Sequence, residues 1–300
     1  MVDKLAPDGA EMAGAEPKSS DMVLGLIRHV GGLSDRVEFE RSFKASRGHL
    51  SVDRLLMGID RGEGSGTRDD AIGGAIRGIG MPADLQESFR KSLPEANHVY
   101  FGAENDGRSL IFKAYLEFRD RIARQIARRP ASAQPFALYT GFKWDATDRS
   151  RRAVTQYEWR PSLSSGAVLE RVQAIVDPER HSLLNEILLA IVDRTLRVIP
   201  PDAIQLLEVR EAGNPRSSLD INLYRAGYRI SDLQSQLLKL AAHYSIAPAR
   251  FDALYGRISG ERVGHLAAGV DRDERDFLTI YYGGTVIDGA SLRSAVVARA

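Results

Sequence analysis

The sequence predicts an α+β fold: a closed antiparallel β-barrel of about ten strands, made of repeated ββα units and ringed by helices. Three observations predict it. A run of alternating apolar residues, a polar turn and a second alternating run recur four times along the chain. The stretches between these hairpins lengthen to a period near 3.6, as helices require. Each second run also brings a tyrosine to an equivalent place.

Residues 1–20, MVDKLAPDGAEMAGAEPKSS, are rich in Gly, Ala, Pro and charge, and lack the basic start and apolar run of a secretion signal. They read as a disordered tail, leaving 21–300 as one domain. A degenerate first unit follows, with VDRLLMGID and DAIGGAIRG flanking the Gly-rich turn Arg61 to Thr67. The first clear hairpin runs from HVYFGAEN across Asp106-Gly107 to SLIFKAYLEF, because Asp-Gly tolerates the positive φ of a tight turn. The second pairs FALYTGFKW with RAVTQYEW across Asp145 to Ser150. The third pairs IQLLEVRE with SLDINLYR, and the fourth GHLAAGVD with DFLTIYYG.

Helical patterns follow Asp84, Arg119 and Ser165. Leu184, Ile187, Leu188, Ile191 and Leu196 mark one face between His181 and Ile199, ended by Pro200-Pro201. A capping box at Ser231 and Gln234 opens a helix whose stripe is Leu233, Leu237, Leu240, Ala241 and Tyr244. Equivalent tyrosines are spaced by 42, 67 and 57 residues, too irregular for a solenoid and suited to a ring with insertions.

Period-two alternation gives each strand residue a face. Lys113-x-Tyr115, Thr155-x-Tyr157, Asn222-x-Tyr224 and Thr279-x-Tyr281 coincide in phase. Helices cover the apolar side, so the tyrosine side faces inward. On first strands the same face holds Tyr100, Gly102 and Glu104; Tyr139, Gly141 and Lys143; Glu208 and Arg210; and His265, Gly269 and Asp271. The phase of the second hairpin is open, because Gln156 and Glu158 oppose Tyr157 and Trp159. An open sheet with one solvated face is the alternative architecture, but four aromatic residues at one equivalent position suit a ligand wall better.

IFKAYLEF and DINLYRAGY, within hairpin-plus-helix units, resemble the Lys-x-Tyr and Asn-x-Tyr strands of the aromatic prenyltransferases with the PT-barrel (ABBA) fold. The resemblance spans about residues 50 to 285 and is one of fold. It implies a small-molecule-binding barrel enzyme moving a prenyl group from an allylic diphosphate to an aromatic acceptor. Lys113, Lys143 and Arg210 would hold diphosphate. Tyr115, Tyr157, Tyr224 and Tyr281 would shield the allyl cation, with Asn222 beside them, and Glu117 or Glu208 would accept the aromatic proton. No cofactor is required, although Mg²⁺ could bridge the diphosphate to lumen carboxylates. The competing function is a non-catalytic metabolite-binding or scaffold protein of a biosynthetic pathway. Prenyl transfer calls for at least three lumen cations at one end of the barrel, whereas a binding module needs none.

Composition narrows the classes further. The 300 residues, 43% hydrophobic, can bury a full core. With 41 basic and 40 acidic residues the net charge is +1, so no global field favours nucleic acid or an anionic membrane. No apolar stretch reaches a membrane span and cysteine is absent, which suits a cytoplasmic protein. Gly62-Glu63-Gly64-Ser65-Gly66 lacks the ending of a phosphate loop and reads as a turn. The six histidines show no metal-ligand spacing, so no metal site is expected, though His98 and His265 sit where they could titrate in a pocket. No Gly-x-Ser-x-Gly elbow occurs. Arg119, Arg121, Arg124, Arg128 and Arg129 read as the solvated side of a helix whose buried side is Ile122 and Ile126, the alternative being a docking face for an anionic partner.

Overall fold

The computed structural model describes residues 17–62, 66–105, 107, 109–128, 134–161 and 163–297. Asp106, Arg129 and the turn residues 63–65 lie outside the described residues, as do residues 1–16 of the expected tail. The first helix, α1 (Pro17–Gly31), begins four residues before the expected domain start.

The barrel opens with β1 (Arg36–Ser46), the three-residue β2 (His49–Ser51) and β3 (Asp53–Asp60). Helices α2 (Gly66–Gly78) and α3 (Ala83–Ser92) lead to the hairpin β4 (His98–Asn105) and β5 (Leu110–Glu117), then α4 (Arg119–Arg128). Next come β6 (Phe136–Asp145) and β7 (Arg152–Trp159), followed by α5 (Ser165–Ile175) and α6 (Ser182–Leu196). The third hairpin is β8 (Leu206–Glu211) and β9 (Ser217–Asn222), followed by α7 (Gln234–His243) and α8 (Pro248–Ile258). The last is β10 (Val263–Val270) and β11 (Asp276–Asp288), and α9 (Gly289–Val297) ends the described chain.

Neighbouring strands pair antiparallel in chain order from β3 to β11, and β1 pairs with both β3 and β11, so ten strands close on themselves. β2 pairs only with the C-terminal end of β1. Closure removes the exposed edges of the sheet. It also gives the barrel two unlike ends: a turn end with the tight hairpin connections, and a helix end where strands pass into helices.

The core is a shell between the outside of the barrel and its helices. Leu219, Ile221 and Leu223 are buried in one cluster with Leu233, Leu237 and Leu240, so the strand phase assigned around Ile221 is correct. A second cluster joins α1, α2 and α3 to β1, β3, β4 and β5 through Leu26, Ile76, Phe89, Phe101 and Phe112.

Four local expectations are corrected. DAIGGAIRG is not a strand but most of α2, with Ile72 and Ile76 buried one turn apart. The missing strand is β1, where Val37, Phe39, Phe43 and Ala45 face the helices. The third hairpin ends at Asn222, whose side-chain oxygen accepts the backbone N–H of Tyr224, and this Asx turn diverts the chain into a 3₁₀ turn. Ser231 and Gln234 do not cap α7; a 3₁₀ turn, Ile230–Leu233, precedes it, and Asp232 accepts the backbone N–H of Arg229.

Candidate functional site

The waist of the lumen is built from tyrosines on four consecutive strands, β4 to β7, and on β11. Tyr100, Tyr115, Tyr139, Tyr157 and Tyr281 line one cavity with Leu56, Leu207, Glu40, Asp220 and His265. The rings meet edge to face. Tyr100 and Tyr139 have centroids 6.2 Å apart, Tyr139 and Tyr157 6.2 Å, and Tyr115 and Tyr157 5.7 Å. Across the lumen His265 stands 5.9 Å from Tyr281 and 5.4 Å from Tyr224. Two glycines make room for this packing. A Cβ on Gly141 would lie 2.9 Å from the Tyr115 ring, and one on Gly58 would lie 2.6 Å from Tyr100. Burial pushes the Tyr115, Tyr139, Tyr157 and Tyr281 hydroxyls above their ordinary value, so the rings stay neutral at physiological pH.

The cavity volume is about 90 Å³ at this waist, but widens to about 420 Å³ at the turn end and about 560 Å³ at the helix end. The lumen is an hourglass.

The turn-end chamber is cationic. Lys44, Arg54, Lys113, Lys143 and Arg216 line it from five strands or their turns, and Arg151, Arg152 and Arg272 surround its mouth. Lys113, with Glu117 too far along its own strand, pairs across strands: its Nζ donates to Glu104 at 2.5 Å. Arg54 pairs with the same carboxylate, so Glu104 serves one buried and one partly buried cation. Burial opposes ionisation of Glu104, yet Arg54, Lys113 and Lys44 hold it well below the usual carboxylate range. Burial pulls Lys113 down to about 8 against the attraction of Glu104. Lys143 is buried without an ion-pair partner among the described residues.

The helix-end chamber carries the opposite charge. Glu38, Glu40 and Glu117 line it beside Asn222, Tyr224, His265 and Arg119. Tyr139 donates its hydroxyl to Glu117 at 3.1 Å, and Arg119 donates to the same carboxylate at 2.9 Å. Tyr224 donates to Glu40 at 2.9 Å. Burial raises Glu40 above the ordinary carboxyl value despite the opposing pull of His265 and Tyr224. His265 Nδ1 lies 3.0 Å from Asp220. Burial alone would lower this imidazole, but Asp220, with Glu40 and Glu117, carries it up to about 9. It is therefore an imidazolium at neutral pH.

Of the residues singled out in the sequence, Lys113, Tyr115, Lys143, Tyr157 and Tyr281 share the waist and turn-end chamber, and Glu117, Asn222 and Tyr224 line the helix end. Tyr224 is displaced from its expected place in the waist because β9 ends two residues before it, and it is 39% exposed. Glu208 and Arg210 do not face the lumen. The inward side of β8 is Leu207, Val209 and Glu211. Glu208 points outward, where Arg160, Arg171 and Arg210 converge on it at 3.1, 3.0 and 3.2 Å. On this strand charge lies under a helix and apolar residues line the lumen, which reverses the usual inference from alternation. The second hairpin resolves with Tyr157 inward and Glu158 outward, 3.6 Å from Arg210.

Sequence reasoning passed over Glu40, Lys44, Arg54 and Arg216. The first two belong to β1, whose alternation in RVEFERSFKAS was a usable signal; Arg54 belongs to a strand that was identified but not phased. Among the described residues, no group of three or more His, Asp or Glu side chains is placed to hold a metal ion. Also among them, no helix is long and apolar enough to cross a membrane.

No protein-family model matches the sequence, nor does any curated protein. The fold, however, is similar to solved aromatic prenyltransferases. Prenyltransferase PriB in its apo form superposes with a TM-score of 0.57 at 14% identity, covering 94% of this chain and 93% of that one. The ternary complex of PriB with L-tryptophan and dimethylallyl thiolodiphosphate gives 0.57 at 13% identity over the same shares. The 5-dimethylallyltryptophan synthase from Streptomyces coelicolor gives 0.58 at 14% identity, covering 91% and 93%. At these identities the likeness establishes the fold alone: the chain has an ABBA prenyltransferase-like barrel fold.

Proposed function

We propose that this barrel transfers a prenyl group from an allylic diphosphate to an electron-rich aromatic acceptor. The observation that carries the reading is the polarity of the lumen: buried cations at one end, a tyrosine waist in the middle and carboxylates at the other end. The five inward cations of the turn-end chamber exceed the three that prenyl transfer calls for. They exceed the carboxylates available to them, and a buried excess of charge is stabilised by an anion. Lys44, Arg54, Lys113, Lys143 and Arg216 would therefore hold the diphosphate, and the excess of cations makes a bridging metal unnecessary.

With the diphosphate in that chamber, its allyl group lies in the waist. The allylic C–O bond breaks and its electron pair leaves with the diphosphate, whose growing charge the cations stabilise. Faces of the neutral tyrosines stabilise the allyl cation and keep water from it. The acceptor enters from the helix end, and its π electrons form the new C–C bond. The ring proton then passes to a carboxylate. Glu40 is the best placed, since it lines both the waist and the helix-end chamber, and burial makes it the more basic for being raised. Glu117 already accepts from Arg119 and Tyr139, so its role is to anchor the acceptor side.

Incubation with dimethylallyl diphosphate and a panel of aromatic acceptors including L-tryptophan, with mass spectrometry of the products, tests the reaction. Calorimetry with the diphosphate alone tests the chamber. Absence of binding, with and without Mg²⁺, overturns the reading and leaves a barrel that binds some other metabolite without transferring a prenyl group.

A further inference from the structure

Lys143 is the one lysine of the turn-end chamber with neither a carboxylate nor an aromatic face of its own: Lys113 has Glu104 and Lys44 lies over the Phe277 ring at 4.7 Å. It sits on β6 directly opposite Lys113 on β5. Like charges placed so oppose each other.

Each element facing the amine is already committed. Glu104, on β4, is shared by Arg54 of β3 and Lys113, and attracts Lys44 of β1. Glu211, at the end of β8, is taken by Arg272 at 2.5 Å, Asn214 at 2.6 Å and Thr155 of β7 at 3.2 Å, with Arg216 at 3.9 Å. Asp271, just after β10, accepts the backbone N–H groups of Asp273 and Arg275 and pairs with the Arg275 guanidinium at 3.6 Å, and Asp273 on the same turn pairs with Arg275 as well. The β6–β7 turn contributes Arg151 and Arg152, the first paired with Asp145 and the second with Asp84. From β11 come the uncharged Phe277 and Thr279, and from the waist Tyr115, Tyr157 and Tyr281. Asp220 of β9 pairs with His265.

We infer that Lys143 is an uncharged amine in the free protein and takes up a proton from solvent when a diphosphate enters the chamber, so that anion binding and protonation are a single coupled event. A buried ammonium facing only cations and spent carboxylates is disfavoured, and shedding its proton is the least costly remedy. Burial first, then Arg216 and Lys113, drive Lys143 well below its ordinary value in the free protein. Three negative charges arriving beside it reverse the sign of the local field. The proton goes from water or buffer to Nζ, which then donates to the diphosphate as an ammonium. The inference rests on the diphosphate reading of this chamber and adds to it a pH-dependent affinity: each proton taken up makes binding about tenfold weaker per unit rise in pH.

The test is isothermal titration calorimetry with dimethylallyl thiolodiphosphate at pH 8.0, where the ligand is fully ionised, in buffers of differing ionisation enthalpy. The wild-type protein is expected to take up more protons than Lys143→Met, by about one per ligand bound, and the pH slope of its affinity is expected to be steeper. Lys113, lowered to about 8, contributes part of the uptake in both proteins, so the difference is the readout. Lys143→Gln serves if the Met variant does not fold, and the Cε chemical shift of Lys143 in the free wild-type protein reports its charge without any variant. Equal proton uptake in wild type and variant, or an ammonium shift in the free protein, overturns the inference while leaving the diphosphate site intact. Failure of the ligand to bind at all removes both.

Discussion

Replacing Glu104 by Gln removes charge from the most heavily shared carboxylate in the barrel and leaves its shape almost unchanged. The native carboxylate accepts Lys113 at 2.5 Å, pairs with Arg54 and attracts Lys44. The side chains of Arg54 and Lys113 are only 6% and 12% exposed, so water cannot take over from the lost carboxylate. Breaking a buried pair by removing one partner costs about 3–5 kcal/mol, because the other charge is left uncompensated. Here two partners are left, and Lys113 can relieve part of the cost by losing its proton, so the expectation is about 3–5 kcal/mol for the ligand-free protein at pH 7. Glu104 is held below its ordinary value of 4.5. Its contribution is therefore fully present above that pH and is lost as the pH falls through the depressed native value. Urea unfolding in phosphate-free buffer, followed by tryptophan fluorescence, measures the loss. An allylic diphosphate at a hundred times its Kd adds about 2.7 kcal/mol through mass action to any form that binds it, and the cation-rich variant should bind it more tightly than wild type. A loss below about 1 kcal/mol at pH 7 would show that the three cations do not depend on Glu104, and would refute the charge argument for the chamber.

Four further outcomes follow from the geometry. Glu40→Gln should retain diphosphate binding but lower product formation by about 10²–10⁴-fold; unchanged turnover would assign the proton to another group. Asp220→Asn should bring the His265 titration down from about 9, as read by NMR. Because that native value lies above 6.5, the stability it contributes is complete below pH 6.5 and fades as the pH rises through about 9, a window the variant should lack. Gly141→Ala forces a methyl to within 2.9 Å of the Tyr115 ring, so it should lower both stability and donor binding, and a neutral result would mean that the waist yields easily. Ile221→Ala should cost about 2–5 kcal/mol in urea unfolding, since Ile221 is 1% exposed in the helix-packed shell.

The architecture was legible wherever two periods competed openly. SLIFKAYLEF and SLDINLYR alternate cleanly because their outward residues meet apolar helices and their inward residues meet a polar lumen. Legibility failed where that contrast weakened. On β8 the lumen wall is itself apolar at Leu207 and Val209, while the outer face buries Glu208 under three arginines, so polarity pointed the wrong way. In DAIGGAIRG, small residues between Ile72 and Ile76 blurred a helical pattern into a strand-like one. Tyr224 failed for a local reason: the Asn222 side chain captures the next turn, and no pattern of hydrophobicity records that. The candidate site was half legible. Residues within strands of clear phase were found, whereas Arg54 sat on a strand without an assigned phase and Glu40 and Lys44 were lost with the strand that carries them.

The separation of charge along the lumen follows from the antiparallel order of the strands. On β5, running away from the turn end, the inward sequence is Lys113, Tyr115, Glu117. On β6, running back toward it, the inward sequence is Tyr139, Gly141, Lys143. The register pairs Lys113 with Lys143, so the cationic level is supplied by strands of opposite direction; Gly141 leaves room beside Tyr115, and Tyr139 stands opposite Glu117, to which it donates its hydroxyl. β1 runs from Glu38 and Glu40 at the helix end to Lys44 at the turn end, and β11, antiparallel to it, pairs Thr279 with Lys44 and Tyr281 with Ser42. Exchanging the levels tests whether the order itself matters. Lys113→Glu combined with Glu117→Lys keeps the composition and net charge of β5 but puts a carboxylate beside Glu104 and an ammonium beside Arg119. Both new neighbours are like-charged, and the variant is expected to lose diphosphate binding by more than about tenfold. Retained binding would show that total charge, and not its position along the lumen, is what the barrel uses.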